Sequence, residues 1–143
     1  MIRGIEHIGI AVRSIEEART FYESLGLVVE EIEEVPQEGV RVAMIPCGES
    51  RIELLEPTRD DSPVAKFLDK RGPGLHHLCL ASDGVEEDDR RLREEGVQLL
   101  RPEPSPGAGG ATVQFVHPRS SRGVLVELSE LALPGSDGVR TDD

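Results

Sequence analysis

The chain has 143 residues, which is enough for one domain with its own core. A hydrophobic content of 37% allows such a core, and an aromatic content of only 3% makes it largely aliphatic. The formal charge of −12 argues against nucleic acid as a partner, because phosphate binding needs a basic face. No stretch reaches the roughly 20 apolar residues of a membrane span. Two cysteines in a chain without a signal-peptide core indicate reduced thiols and a cytoplasmic location.

The first half of the chain predicts the element order βαβββ. Residues 5–12 alternate apolar side chains as a half-buried strand does. Ser14 and Glu17 then form a start signal for a helix over 15–25. Three strands follow, separated by turns that contain Gly and Pro, at 28–34, 40–45 and 51–56.

A second copy of this order follows a bridge helix at about 62–71, in which Pro63 suits the first helical position. The copy predicts a strand at 75–81, a helix at 84–95, a Pro- and Gly-rich loop at 102–110, and strands at 97–101, 112–116 and 124–129. We therefore expect one domain over 1–130, with modules at about 1–58 and 74–130. A polar tail follows at 131–143, and its part beyond Pro134 is expected to be disordered.

A histidine and a glutamate recur at corresponding places in the two copies. His7 opens the run His7-Ile8-Gly9-Ile10-Ala11, and His77 opens the similar run His77-Leu78-Cys79-Leu80-Ala81. Each copy ends alike, in Glu53-Leu54-Leu55-Glu56 and in Glu127-Leu128-Ser129-Glu130. Strand alternation puts the small residues that follow each His, Gly9 and Ala11 in one copy and Cys79 and Ala81 in the other, on the same face as the imidazole, which leaves room beside it. This duplication predicts a pseudo-symmetric metal site made of His7, Glu53, His77 and Glu127.

Each of these residues alone has an ordinary structural explanation. A single His at a strand start is more often a hydrogen-bonded structural residue, and a single Glu in a strand can face solvent. The repetition of both residue types in both halves favours ligation instead. His76 has the opposite strand parity, so we expect it to support a ligand residue or to be structural, and His117 has no partner in the first copy and is expected to be structural.

Two imidazoles and two carboxylates suit a divalent ion such as Co, Mn, Ni, Fe or Zn. Paired thiolates at zinc-finger spacing do not occur in the sequence, which argues against a closed structural zinc site.

Several segments resemble the methylmalonyl-CoA epimerase family of the vicinal oxygen chelate superfamily, which also includes glyoxalase I, extradiol dioxygenases and fosfomycin-resistance proteins. The resemblance covers residues 1 to about 130 and is carried by four segments: 61–68, 74–77, 107–110, and 117–120 with 123–128. It implies an α+β fold, in which two paired βαβββ modules form a curved, partly open, barrel-like mixed sheet.

The resemblance also implies a function. Members interconvert (2R)- and (2S)-methylmalonyl-CoA by proton transfer at C2 through a metal-stabilised enolate. The family's ligands carry over onto His7, Glu53, His77 and Glu127, with Glu127 also as the acid–base residue. An acid that some relatives carry is replaced here by Val42. The expected partners are a divalent metal, cobalt first for activity, an acyl-CoA substrate and a second copy in a homodimer.

Two alternatives remain open at this point. One is a glyoxalase I-type lactoylglutathione lyase, which shares the same metal and proton-transfer chemistry. The other is a non-catalytic small-molecule-binding protein of the resistance type, with the same fold. The presence of all four predicted ligands favours an enzyme over the binding protein.

Overall fold

A computed structural model describes residues 1–132 of the chain. The first half contains β1 (Ile2–Ala11), α1 (Ile15–Ser24), β2 (Glu31–Val35), β3 (Val40–Cys47), β4 (Ser50–Pro57) and α2 (Pro63–Arg71). The second half contains β5 (Gly74–Ser82), α3 (Val85–Glu94), the two-residue strand β6 (Ser105–Pro106), β7 (Thr112–Val116) and β8 (Val126–Glu130). Apart from its first two residues, the predicted tail lies outside the described residues.

The chain divides into two compact units. One unit is Glu6–Leu78, and the other combines Met1–Ile5 with the chain from Cys79 onward. Strands β1 and β5 each contribute residues to both units. The module limits near 58 and 74, and the grouping of both modules into one domain, stay predictions.

The Glu6–Leu78 unit is built on strands in the order β2-β3-β4-β1-β5. Strands β2, β3 and β4 pair antiparallel, whereas β4 pairs with β1 in parallel. Helix α1 lies against one face of this sheet. The core there consists of Val12, Ile15, Ala43, Ile45 and Leu54, all buried. The opposite face is left for the polar side chains described below.

In the other unit, β7 lies between β8 and β6, and helix α3 lies against β7 and β8. Gln114 on β7 is fully buried and donates from Nε2 to Oδ2 of Asp89 at 2.7 Å. Burial raises the pKa of Asp89, but hydrogen bonds from Arg93 and Gln114 outweigh that effect and leave the pKa below its usual value. This buried network fixes α3 on the sheet.

The prediction of a strand at 97–101 is wrong. Only Leu99 forms a β-bridge, with Val116. The carbonyl of Arg101 accepts hydrogen bonds from Arg93 and Gln114 at 2.6 and 3.1 Å, so it is turned away from a strand partner. Pro102 follows and has no N–H to continue a ladder. The only strand in the predicted loop 102–110 is the short β6.

The second glutamate of each repeated Glu-x-x-Glu segment has the same structural task. Glu56 accepts a hydrogen bond from the backbone N–H of Ile15, the first residue of α1, at 2.9 Å. Glu130 accepts the equivalent bond from Val85, the first residue of α3, also at 2.9 Å. Both satisfy an N–H that a helix leaves without an internal partner, and their charge suits the helix N-terminus. The local structure therefore repeats as the sequence does.

Candidate metal centre

The parallel pairing of β1 with β4 places two predicted ligands side by side. Gly9 lies opposite Glu53 in this pairing, and His7 is two residues from Gly9 on the same face. Nε2 of His7 is 3.3 Å from Oε1 of Glu53. Both residues are buried, with exposures of 5% and 6%. A carboxylate in such a place is costly unless a cation or hydrogen bonds compensate for its lost hydration.

His77, on β5, reaches the same place because Gly9 lacks a side chain. The two Nε2 atoms of His7 and His77 are 3.0 Å apart, and the rings meet edge to face. A Cβ atom at Gly9 would lie 2.3 Å from Cε1 of His77 and 2.8 Å from its Nε2. Only a glycine therefore fits at position 9 beside the His77 ring.

These donor atoms have the spacing of neighbouring ligands on one ion. Bonds of about 2.1 Å at right angles put two ligand atoms about 3 Å apart. The Nε2–Nε2 and Nε2–Oε1 separations of 3.0 and 3.3 Å agree with that value. A mixed nitrogen and carboxylate set is the type that borderline divalent ions prefer. The residues present thus fit a divalent metal.

The residue before each predicted histidine ligand contacts the other nitrogen of that ring. Glu6 is hydrogen-bonded to Nδ1 of His7, and Nδ1 of His76 is 2.9 Å from Nδ1 of His77. A carboxylate at Nδ1 selects the tautomer whose Nε2 is the acceptor, which is how proteins prepare a histidine for a metal. His76 was predicted to support a ligand residue or to be structural, and its contact with His77 is of the first kind. Glu6 was not identified from the sequence, although its place directly before His7 was the available signal.

Arg51 is the second residue that sequence reasoning missed. It lies opposite His7 in the β1–β4 pairing and two residues before Glu53, hence on the same face of the sheet. Its guanidinium binds Glu53 at 2.7 Å and Glu6 at 2.8 Å. A cation two positions before an apolar-flanked glutamate was the signal in the sequence.

Glu127, the fourth predicted ligand, lies on β8, opposite Phe115 of β7. Its side chain is half-buried and the next residue, Leu128, is buried. It belongs to the unit that continues from Cys79, so three of the four predicted ligands lie in one unit and Glu127 in the other. A single site with all four ligands stays a prediction.

His117 and Val42 are the other two positions discussed from the sequence. His117 accepts a hydrogen bond at Nδ1 from the backbone N–H of Arg119 at 2.9 Å, which stabilises the turn after β7. Val42 is buried, with 4% exposure, and pairs across β3 and β4 with Leu55. Its aliphatic side chain cannot carry a proton.

Comparison with known proteins identifies the family. The family model described as "Glyoxalase/Bleomycin resistance protein/Dioxygenase superfamily" matches residues 6–115. The chain belongs to this superfamily. The predicted α+β fold of paired βαβββ modules is therefore confirmed at the level of the superfamily fold.

Within the superfamily, the chain is similar to methylmalonyl-CoA epimerases. It is 39% identical to the mitochondrial methylmalonyl-CoA epimerase of Bos taurus, over 88% of this chain and 73% of the relative. The crystal structure of methylmalonyl-CoA epimerase from Mycobacterium tuberculosis has a TM-score of 0.88 and 36% identity, covering 92% of this chain and 90% of that one. A methylmalonyl-CoA epimerase in complex with methylmalonyl-CoA and NH4+ has a TM-score of 0.86 and 37% identity, covering 92% and 96%. The resemblance predicted from the motifs is confirmed.

None of the helices among residues 1–132 is long and apolar enough to cross a lipid bilayer.

We predict that Gly9→Ala weakens metal binding. The new methyl group would overlap the His77 ring, which must then move away from His7. Because loss of a supporting contact at a metal site typically costs about 10–100-fold in affinity, we expect a fall of at least that order in Co²⁺ affinity. Isothermal titration calorimetry with the metal-free protein measures it.

Gly84→Ala is the matched control, because a Cβ there meets its nearest neighbour at 3.5 Å, an ordinary contact. It should bind Co²⁺ as the wild type does. An unchanged affinity in Gly9→Ala would show that the His77 ring is not a ligand in this position.

Proposed function

We propose that this protein is a methylmalonyl-CoA epimerase, which interconverts the (2R) and (2S) forms of methylmalonyl-CoA by moving the proton at C2. The observation that carries this proposal is the cluster of His7, Glu53 and His77 donor atoms on a fold shared with epimerases along most of the chain. The named relatives support the same activity.

The chemistry of the substrate explains why such a site is needed. The C2 proton lies between a thioester and a carboxylate, and its removal leaves negative charge on the thioester oxygen. A divalent cation, when bound, supplies a Lewis acid for that charge. The residues that would hold it are His7, Glu53, His77 and Glu127. Loss and return of the proton on opposite faces of C2 inverts the configuration.

We assign the proton transfer on one face of C2 to Glu127. Its support is the repeat, in which Glu127 corresponds to Glu53, and its half-buried position next to apolar residues on β8. Arg51 holds Oε2 of Glu53 at 2.7 Å, which fixes that carboxylate in place for ligation.

We further propose cobalt as the metal that supports the highest activity, with Mn, Ni, Zn and Fe as the other candidates. The nitrogen and carboxylate donors fit all of these ions. Activity of the metal-free protein reconstituted with each ion in turn decides between them.

The proposed function is tested by proton exchange. We expect the wild-type protein with Co²⁺ to replace the C2 proton of methylmalonyl-CoA by deuterium in deuterated water, as followed by NMR, and to lose this activity when the metal is chelated. The hemithioacetal of glutathione and methylglyoxal serves as the second substrate. Isomerisation of that compound without exchange of methylmalonyl-CoA would identify a lactoylglutathione lyase, and binding without turnover of either would identify a non-catalytic protein.

We predict that Glu127→Gln lowers the exchange rate by about 10²–10⁴-fold, the usual contribution of a general acid–base residue. The amide keeps one oxygen for the metal but cannot act as the base, so most of the bound metal should be retained. Metal content and exchange rate are measured on the same sample.

Glu53→Gln is the matched control, since it makes the same chemical change at the corresponding position of the repeat. It should reduce the rate much less. Near wild-type exchange in Glu127→Gln with metal bound would leave Glu127 as a ligand at most, and would move the base to another residue.

A homodimer in the cytoplasm completes the proposal. Strand β2 is the last strand of its sheet, and two large apolar side chains on it or just before it are exposed, Ile32 and Val28. An edge with such residues is a typical pairing surface. No disulfide joins Cys47 and Cys79 within residues 1–132, as expected in a reducing compartment. We predict a light-scattering mass of two chains, and a mass of one chain would refute the dimer.

A further inference from the structure

We infer that Arg51 is a positioning residue of the metal centre, which holds Glu53 and Glu6 at once and thereby sets both a carboxylate ligand and an imidazole ligand. The inference rests on the metal site of the proposed function. Arg51 has no place in the reaction chemistry described above, and its guanidinium acts through its two neighbours.

The contacts of Arg51 divide between two carboxylates. Its Nη2 and Nε both donate to the same oxygen of Glu53, Oε2, at 2.7 and 3.0 Å. Its Nη1 is 2.8 Å from Oε2 of Glu6, and its Nη2 is 3.3 Å from the other Glu6 oxygen. The side chains of Glu6 and Glu53 are about nine-tenths buried, with exposures of 11% and 9%. One cation thus joins two poorly hydrated anions.

The first consequence concerns Glu53. Arg51 occupies Oε2, so the oxygen directed to Nε2 of His7 is Oε1, at 3.3 Å. Glu53 would then give the metal one oxygen and keep the other on the guanidinium. A carboxylate without this restraint can turn and offer both oxygens, which changes the number of ligands on the ion.

The second consequence concerns His7. Glu6 is hydrogen-bonded to Nδ1 of His7, and Arg51 fixes the carboxylate that makes this bond. The chain of contacts from Arg51 to Glu6 to His7 therefore holds the ring plane and its tautomer. Supporting contacts of this kind orient the ligands of metal sites in proteins.

A lysine cannot replace this arrangement. The planar guanidinium presents five donors in a fixed geometry, and here three of its nitrogens serve two different carboxylates. An ammonium group is a point charge that can approach one of them closely. Arg51→Lys should therefore preserve part of the charge balance and lose the geometry.

The test measures metal binding in the full-length protein without substrate. We expect Arg51→Met to lower the Co²⁺ affinity by about 10–100-fold, the usual effect of losing a supporting contact, and Arg51→Lys to fall between it and the wild type. The visible absorption spectrum of bound Co²⁺ should also change in both variants, because the ligand geometry changes. Thermal unfolding of the metal-free proteins monitors the fold separately.

Arg41→Met is the matched control. Arg41 lies on the neighbouring strand β3 and is paired with Glu56 at 3.5 Å, so the change removes an arginine from a similar ion pair away from the proposed ligands. It should leave both the Co²⁺ affinity and the spectrum as in the wild type.

A double-mutant cycle adds a second criterion. In the Glu53→Gln background the ligand carries no charge for the guanidinium to balance, so Arg51→Met should cost less affinity there than in the wild type. Wild-type affinity and spectrum in Arg51→Met would overturn the inference, as would strictly additive effects in the cycle. The measurements of Co²⁺ affinity and spectrum do not use methylmalonyl-CoA. If the protein is not an epimerase, only the exchange assay shows it, and the role of Arg51 in metal binding is tested separately.

Discussion

The parallel pairing of β1 with β4 is the constraint on which the metal centre depends. It sets Gly9 opposite Glu53 and His7 opposite Arg51. An imidazole, a carboxylate and a guanidinium therefore share one face of the sheet. The empty position at Gly9 then admits the His77 ring from β5 to within 3.0 Å of His7. A shift of one residue in this pairing would put the side chains of His7 and Glu53 on opposite faces of the sheet. The site thus depends on backbone register first.

Burial makes the electrostatics of the centre demanding. Glu6 and Glu53 are both mostly removed from water, and two adjacent carboxylates repel each other there. Arg51 reduces this repulsion because its guanidinium contacts both carboxylates. Within a chain of net charge −12, a bound divalent metal would offset the repulsion of an anionic acyl-CoA. Metal binding and substrate binding are therefore linked in the proposed enzyme.

Duplication organises this chain at two levels. In each copy a glutamate on the last strand is the predicted ligand. A second glutamate, three residues later, accepts a hydrogen bond from the first N–H of the helix of the same copy, as Glu56 and Glu130 do. The residues before the two histidines, Glu6 and His76, also share a task at Nδ1 although their chemistry differs. The copies differ at 97–101, where the carbonyl of Arg101 accepts hydrogen bonds from Arg93 and Gln114.

The sequence by itself determined the repeat, most element positions, the family and the histidines and glutamates to inspect, because periodicity and residue type are local properties. It did not reveal the task of Glu6 or Arg51, nor that Gly9 makes space for His77. Those facts depend on which strands become neighbours and in what register, and strand neighbours are far apart along the chain. The same reason explains the wrong prediction of a strand at 97–101. These residues have the pattern of a strand, but the carbonyl of Arg101 is hydrogen-bonded to side chains from α3 and β7. Only the tertiary structure decides such competition, since it alone brings the competing hydrogen-bond donors together.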